Sequence, residues 1–178
     1  MRRLGTIFLL LMVLLSGAAG ALAQDGWPFV IATSAEPTTF AMRLYNASTI
    51  EVDWGLGGGW ESVSSGNQRI EKAFPTAGLH TIKLRGGFSG AAGSRFSFYG
   101  ENDCTPHLLF DITGETSPSL TGIRSGQNMF RGCTGITSFT AANWFDQASG
   151  NVTDMGNMFR GASSFNSDLS AWNVAKVT

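Results

Sequence analysis

Hydrophobic and polar positions between residues 27 and 99 alternate with a period of two. Phe29, Ile31 and Thr33 fall on one side of an extended chain, and Val30 and Ala32 on the other. The same pattern sets Phe40, Met42 and Leu44 against Ala41 and Arg43, and Ile50, Val52 and Trp54 against Glu51 and Asp53. It recurs in His80, Ile82 and Leu84 against Thr81, Lys83 and Arg85, and in Phe96 and Phe98 against Arg95, Ser97 and Tyr99. Alternation of this kind marks strands with one buried face. Turn-forming clusters separate the runs: GLGGG at 55–59, SSG at 64–66 and GGFSGAAGS at 86–94. No helical period interrupts them. The pattern predicts a small β-sandwich over residues 24–100.

Further along the chain the period changes and the sequence repeats itself. Asn128-Met129-Phe130-Arg131-Gly132 returns as Asn157-Met158-Phe159-Arg160-Gly161. Ser138-Phe139 returns as Ser164-Phe165, Trp144 as Trp172, and Val152-Thr153 as Val177-Thr178. The offsets shrink from 29 to 25 residues, which makes FDQASG at 145–150 an insertion in the first copy. Met155, Met158, Phe159 and Ala162 follow i, i+3, i+4, i+7 spacing, the stripe of a short helix. Thr153 or Asp154 is placed to cap it. Ile136, Phe139, Ala141 and Trp144 then follow a strand-like spacing. A helical turn plus a strand buries its apolar faces only by stacking on another copy, so residues 125–178 predict a solenoid of two units. Residues 101–124 become the junction that seeds the first coil. The terminal Val177-Thr178 reads as the opening of a third unit, which suggests further repeats in a longer parent protein.

These residues carry a resemblance. VTDMGNMFRGASSFNSDLSAWNVAKVT (152–178) is similar to the repeat of BspA-like leucine-rich-repeat surface proteins, matching it at Val152, Thr153, Asp154, Met155, Met158, Phe159, Phe165, Asn166, Leu169, Trp172, Val174, Val177 and Thr178. Asp53-Trp54-Gly55, with Phe74, Gly78, Ile82 and Leu84, resembles the polycystic-kidney-disease-like (PKD-like) immunoglobulin-fold module that often precedes such repeats. Leu56 stands where that module has a second Asp, and His80 where it has Tyr. The resemblance implies a mainly β protein: an immunoglobulin/PKD-like β-sandwich followed by a short leucine-rich-repeat-like solenoid with short helical turns. It further implies a surface protein that binds a host or neighbouring-cell surface protein or glycan through its repeats. The alternative is a carbohydrate-binding accessory module of a larger extracellular enzyme.

The N-terminus supports export. Arg2 and Arg3 precede an apolar run from Leu4 to Leu15, and Ala21-Leu22-Ala23 forms an A-x-A site. Residues 1–23 therefore read as a signal peptide cleaved after Ala23, giving a secreted or cell-surface protein. No later stretch has the length of a transmembrane helix. Cleavage takes Arg2 and Arg3 from the 12 Lys and Arg and nothing from the 13 Asp and Glu, for a net charge of −3. The charges are scattered along the sequence, which argues against nucleic acid as a partner.

Candidate chemistry is sparse. Cys104 and Cys133 are the two cysteines. Export would permit a disulfide between them, worth about 3 kcal/mol if unstrained; the alternative is two small buried hydrophobes. Cys104-Thr105-Pro106-His107 juxtaposes a thiol and a base, but nucleophile and base normally meet through the fold and not the local chain. His80 reads as a core residue on a strand, since no Cys or His lies near it at metal spacing. Asp103, Asp111 and Glu115 match no calcium pattern. GLGGG is followed by no helix, which leaves a phosphate loop without support. Hence no metal, cofactor or catalytic residue is assigned, and the chain reads as non-enzymatic. Trp54, Trp144 and Trp172 sit in apolar periods and read as core, whereas Trp60, among Gly and Glu, is the candidate ligand contact. Asn46 and Asn151 head glycosylation sequons.

Overall fold

The computed structural model describes residues 26–34, 37–100, 104–112, 120–137, 139, 152–170 and 172–178. Two sheets carry the fold. The larger runs β4(Trp60–Ser62), β3(Glu51–Asp53), β6(Gly78–Gly87), β1(Trp27–Thr33), β8(Leu109–Asp111), and β9(Leu120–Thr121) joins β6 in parallel at Gly86 and Gly87. The smaller sheet is β5(Gly66–Phe74), β2(Thr38–Ala47), β7(Arg95–Ser97). All pairs other than β6–β9 are antiparallel. A single 3-10 turn, Pro106–Leu108, is the only helical segment among the described residues.

The alternation read from the sequence is what drives the sheets together. Trp27, Phe29 and Ile31 of β1 and Ile82 and Leu84 of β6 are buried on one side; Phe40, Met42, Leu44, Phe96 and Phe98 answer from the other. The Trp27 and Phe96 rings lie 4.9 Å apart, and Phe29 meets Phe98 edge-on at 5.1 Å. Such aromatic pairs add about 0.5–1.5 kcal/mol each beyond the area they bury. This half is compatible with the expected β-sandwich.

The second half corrects the expectation. The leucine-rich-repeat-like solenoid with short helical turns is overturned: the protein is mainly β in its two sheets, and neither copy of the repeat forms a helix or a strand among the described residues. Each copy is instead a chain of tight turns. Met129, Arg131 and Cys133 donate their N–H groups to Gly126, Asn128 and Phe130, three residues back, and Met158, Arg160 and Ala162 do the same in the second copy. Asn128 and Asn157 both sit at φ 56°, and Gly132 and Gly161 at φ 74° and 75°. Left-handed backbone at these positions cannot continue an α-helix, although the apolar spacing mimics one. Of the strand-like positions, Phe139 makes one isolated parallel bridge to Ile112. Ala141 and Trp144 lie outside the described residues.

Four other N–H groups of the first copy point across to the second. Gly126, Asn128, Phe130 and Gly132 donate to Asp154, Gly156, Met158 and Arg160 at 2.7–3.0 Å. The two copies therefore lie against each other in register, peptide on peptide. On the other flank Phe98 donates to the Met129 carbonyl at 2.9 Å, which ties the first copy to β7. Phe130 joins the interiors: it stacks on Phe98 at 5.8 Å and on Phe159 at 5.5 Å. Met158 and Trp172 are buried in this shared core, and Phe159 is half-buried at its margin.

Candidate interaction surfaces

Trp60 lies on the edge strand β4, opposite Asp53 of β3. It is not an open platform. Arg85 places its guanidinium 4.1 Å from the centre of the indole, and the far edge of the ring crowds Gly26. Glu51, across the strand pair from Arg85, accepts a hydrogen bond from its Nε at 2.7 Å. A sugar ring stacking on the covered face of Trp60 must first displace Arg85.

Behind β4 lies an open groove of about 250 Å³ lined by Trp54, Glu61, Val63, Gln68, Ile70 and Glu71 among others. The Trp54 indole N–H donates to Glu61 at 3.0 Å, and Lys72 donates to the same carboxylate at 2.6 Å. The Lys72 hydrogen bond holds the Glu61 carboxyl below its ordinary pKa. The groove thus pairs the Glu61 carboxylate internally.

His80 is half-buried on β6 against the Phe74 ring at 4.6 Å. Its Nε2 lies 3.2 Å from the Thr33 hydroxyl and 3.0 Å from the Thr76 carbonyl, which makes it a strut between β1 and the β5–β6 turn. His107 is exposed in the middle of the 3-10 turn. Thr105 anchors that turn to β2, accepting the Ala41 N–H at 2.8 Å. Asn46, at φ 55°, donates its side-chain amide to the Ala92 carbonyl at 3.3 Å, so a glycan there would have to break that bond. Asn151, Asp103 and Glu115 lie outside the described residues. Among the described residues no three metal-ligating side chains converge.

Cys104 and Cys133 are not joined by a disulfide. Cys104 is half-buried; Cys133 is fully buried in the first copy, and burial pushes its thiol pKa well above the ordinary value. Alkylation needs the thiolate. Iodoacetamide at pH 8 is therefore expected to add one adduct to the native protein and two in urea, read by intact mass. Two fast native adducts would contradict the burial of Cys133.

The surface that the sequence did not single out is the outer side of the second copy. There the N–H groups of Met155, Asn157, Phe159 and Gly161, the counterparts of those that build the ladder, meet no carbonyl among the described residues. Beside them the core opens. Phe130, Cys133 and Ile136 of the first copy are fully buried, whereas Phe159, Ala162 and Phe165 of the second are only half-buried and Val174 is 50% exposed.

Residues 116–178 match a family model described as a Mycoplasma protein of unknown function, DUF285. That match covers both copies of the repeat and about a third of the chain. No curated protein matches the chain, and no solved structure does. Across the DUF285-matching segment and the sheets alike, no helix among the described residues is long and apolar enough to cross a membrane.

Proposed function

We propose that the protein is an exported, non-enzymatic recognition protein that acts at the cell surface, and that the outer side of the second repeat copy is its contact surface for a polypeptide partner. The observation that supports this is the donor row of Met155, Asn157, Phe159 and Gly161 beside half-buried aromatics. The same arrangement, one layer in, is closed by backbone carbonyls and apolar side chains. A partner that fits must bring both. Main-chain hydrogen bonds supply affinity in such pairings, and the neighbouring side-chain pockets supply selectivity.

Gelatin is a suitable probe, being an unfolded polypeptide with solvated carbonyls. Biolayer interferometry on immobilised gelatin is expected to show binding that Phe159→Asp weakens at least tenfold, about 1.4 kcal/mol. Val174→Glu, at a half-exposed position, carries the same test without touching the core. Absence of wild-type binding, or equal binding by both variants, would overturn the assignment.

A further inference from the structure

The smaller sheet ends in a long edge. β5 has nine residues, whereas β4, β7 and β8, which also end sheets, have three each. The main-chain groups that face this edge are fixed by the far side of β2. There Ala41 gives its N–H to the Thr105 hydroxyl at 2.8 Å and accepts the Thr105 N–H at 3.1 Å. Both main-chain groups of Ala41 thus point away from β5, and those of its register partner Glu71 point away from β2. By alternation Asn67, Arg69, Glu71 and Ala73 turn N–H and C=O to the outer edge, where no further strand pairs with β5 among the described residues. Their side chains are exposed on the outward face, while Gln68, Ile70, Lys72 and Phe74 turn inward.

Long edges are usually blunted, and an inward-pointing charge is one common device. Lys72 holds that position but is drawn back into its own chain: it donates to Glu61 at 2.6 Å and lies 5.9 Å from the centre of the Trp54 ring. What the edge presents is self-complementary. Ile70 is the middle residue of β5, and Arg69 and Glu71, ion-paired with each other, stand on either side of it. When β5 is set antiparallel to a second β5 about a two-fold axis at Ile70, Arg69 of each copy lies opposite Glu71 of the other, and Asn67 opposite Ala73. Edge-facing main chain then meets edge-facing main chain at each of these positions. The charges alternate in sign around a square, so each internal pair gains a favourable cross-strand neighbour. A two-residue slip sets Arg69 against Arg69 or Glu71 against Glu71. A one-residue slip sets edge-facing groups against positions that face away.

We propose that β5 is a homodimerisation edge, at which two copies of this chain join β5 to β5 about a two-fold axis at Ile70. The three-stranded sheets of the two copies become one continuous sheet. The groove beside β4 fits the same occupant. Its lining includes Trp54, Val63, Ile70 and Glu71, so it reaches the edge of β5 itself. At the axis the two Ile70 residues form a non-hydrogen-bonded pair, with Cα atoms about 4.5 Å apart. Both side chains point inward, so Ile70 of each copy covers the apolar floor of the other's groove. A uniformly acidic or uniformly basic strand would answer only one of the two charges, and an uncharged strand neither.

The test is sedimentation velocity of the full chain, with reductant, over a range of concentrations. The wild type is expected to pass from monomer to dimer as concentration rises. Glu71→Arg and Arg69→Glu, each alone, set like charges across the axis and should weaken the dimer at least tenfold. An equimolar mixture of those two variants should associate again, because both charged cross-strand contacts then join opposite signs. Ala73→Pro removes an edge-facing N–H that has no partner among the described residues, a change that edge strands tolerate, and it should weaken the dimer too. Val174→Glu, in the second repeat copy, should leave it unchanged. Circular dichroism of each variant separates lost association from lost fold. The proposal is overturned if the wild type stays monomeric at its highest soluble concentration, or if the single charge variants dimerise as well as the wild type. It is equally overturned if the mixture of the two folded variants stays monomeric, or if Val174→Glu abolishes the dimer.

Discussion

Replacing Phe130 by alanine is expected to cost about 3–5 kcal/mol of unfolding free energy. The side chain is fully buried and touches both halves of the molecule: Phe96 and Phe98 from the sheets, Phe139 and Phe159 from the repeats. The cavity left behind would open where the two halves join, and neither sheet nor turn ladder can collapse into it without breaking its hydrogen bonds. For a chain of this size the melting midpoint should fall by about 10 °C. Phe130→Leu, which keeps most of the volume, should cost about 1.5 kcal/mol or less. Urea titration followed by tryptophan fluorescence checks both. An alanine variant with an unchanged midpoint would mean that the two halves do not share an interior.

Gly86→Ala should be of similar size for a different reason. Gly86 has φ +108°, and a Cβ there would stand 1.8 Å from the Thr49 carbonyl oxygen. The neighbouring backbone is pinned, since Ser48 and Thr49 both donate to the Gly87 carbonyl at 2.9 and 3.1 Å. The methyl group must therefore push the approach to β3 off β6. Left-handed strain alone costs of order 1–3 kcal/mol, and the collision adds to it, for a loss of about 3 kcal/mol or more. Gly57→Ala is the control. Its φ is +80°, but nothing lies within 4 Å of a Cβ, so it carries only the strain, about 1 kcal/mol. Chemical denaturation of the two variants side by side separates contact from conformation, and equal losses would show that the Thr49 approach is looser than described.

The strands that could be read from the sequence are those with an apolar residue at every second position. β1 buries Trp27, Phe29, Ile31 and Thr33 without a gap. β5 escaped notice because its inward positions are Gln68, Ile70, Lys72 and Phe74. Two polar side chains in that set break the alternation, and an edge strand tolerates them because one flank reaches solvent. The repeat was legible as repetition but not as shape. Three- and four-residue apolar spacing is common to helices and to successive tight turns. The deciding signal was Asn128 and Asn157, a residue type that accepts positive φ, placed just where a helix would have had its first turn. Trp60 was singled out for its polar neighbours in sequence, whereas Arg85, distant in sequence, is what lies on its ring.

The turn ladder also has an electrical sense. The four ladder bonds between the turns run the same way, N–H from the first copy to C=O of the second, and further along Asn166 returns one bond to the Thr137 carbonyl. The peptide dipoles in these columns are therefore aligned and do not cancel as they do between ordinary antiparallel strands. Their positive ends accumulate at Met155, Asn157, Phe159 and Gly161, much as they do at the start of an α-helix. The outer side of the second copy thus carries a weak positive potential that comes from main chain alone, persists at any pH, and favours the approach of electron-rich groups before any side chain makes contact.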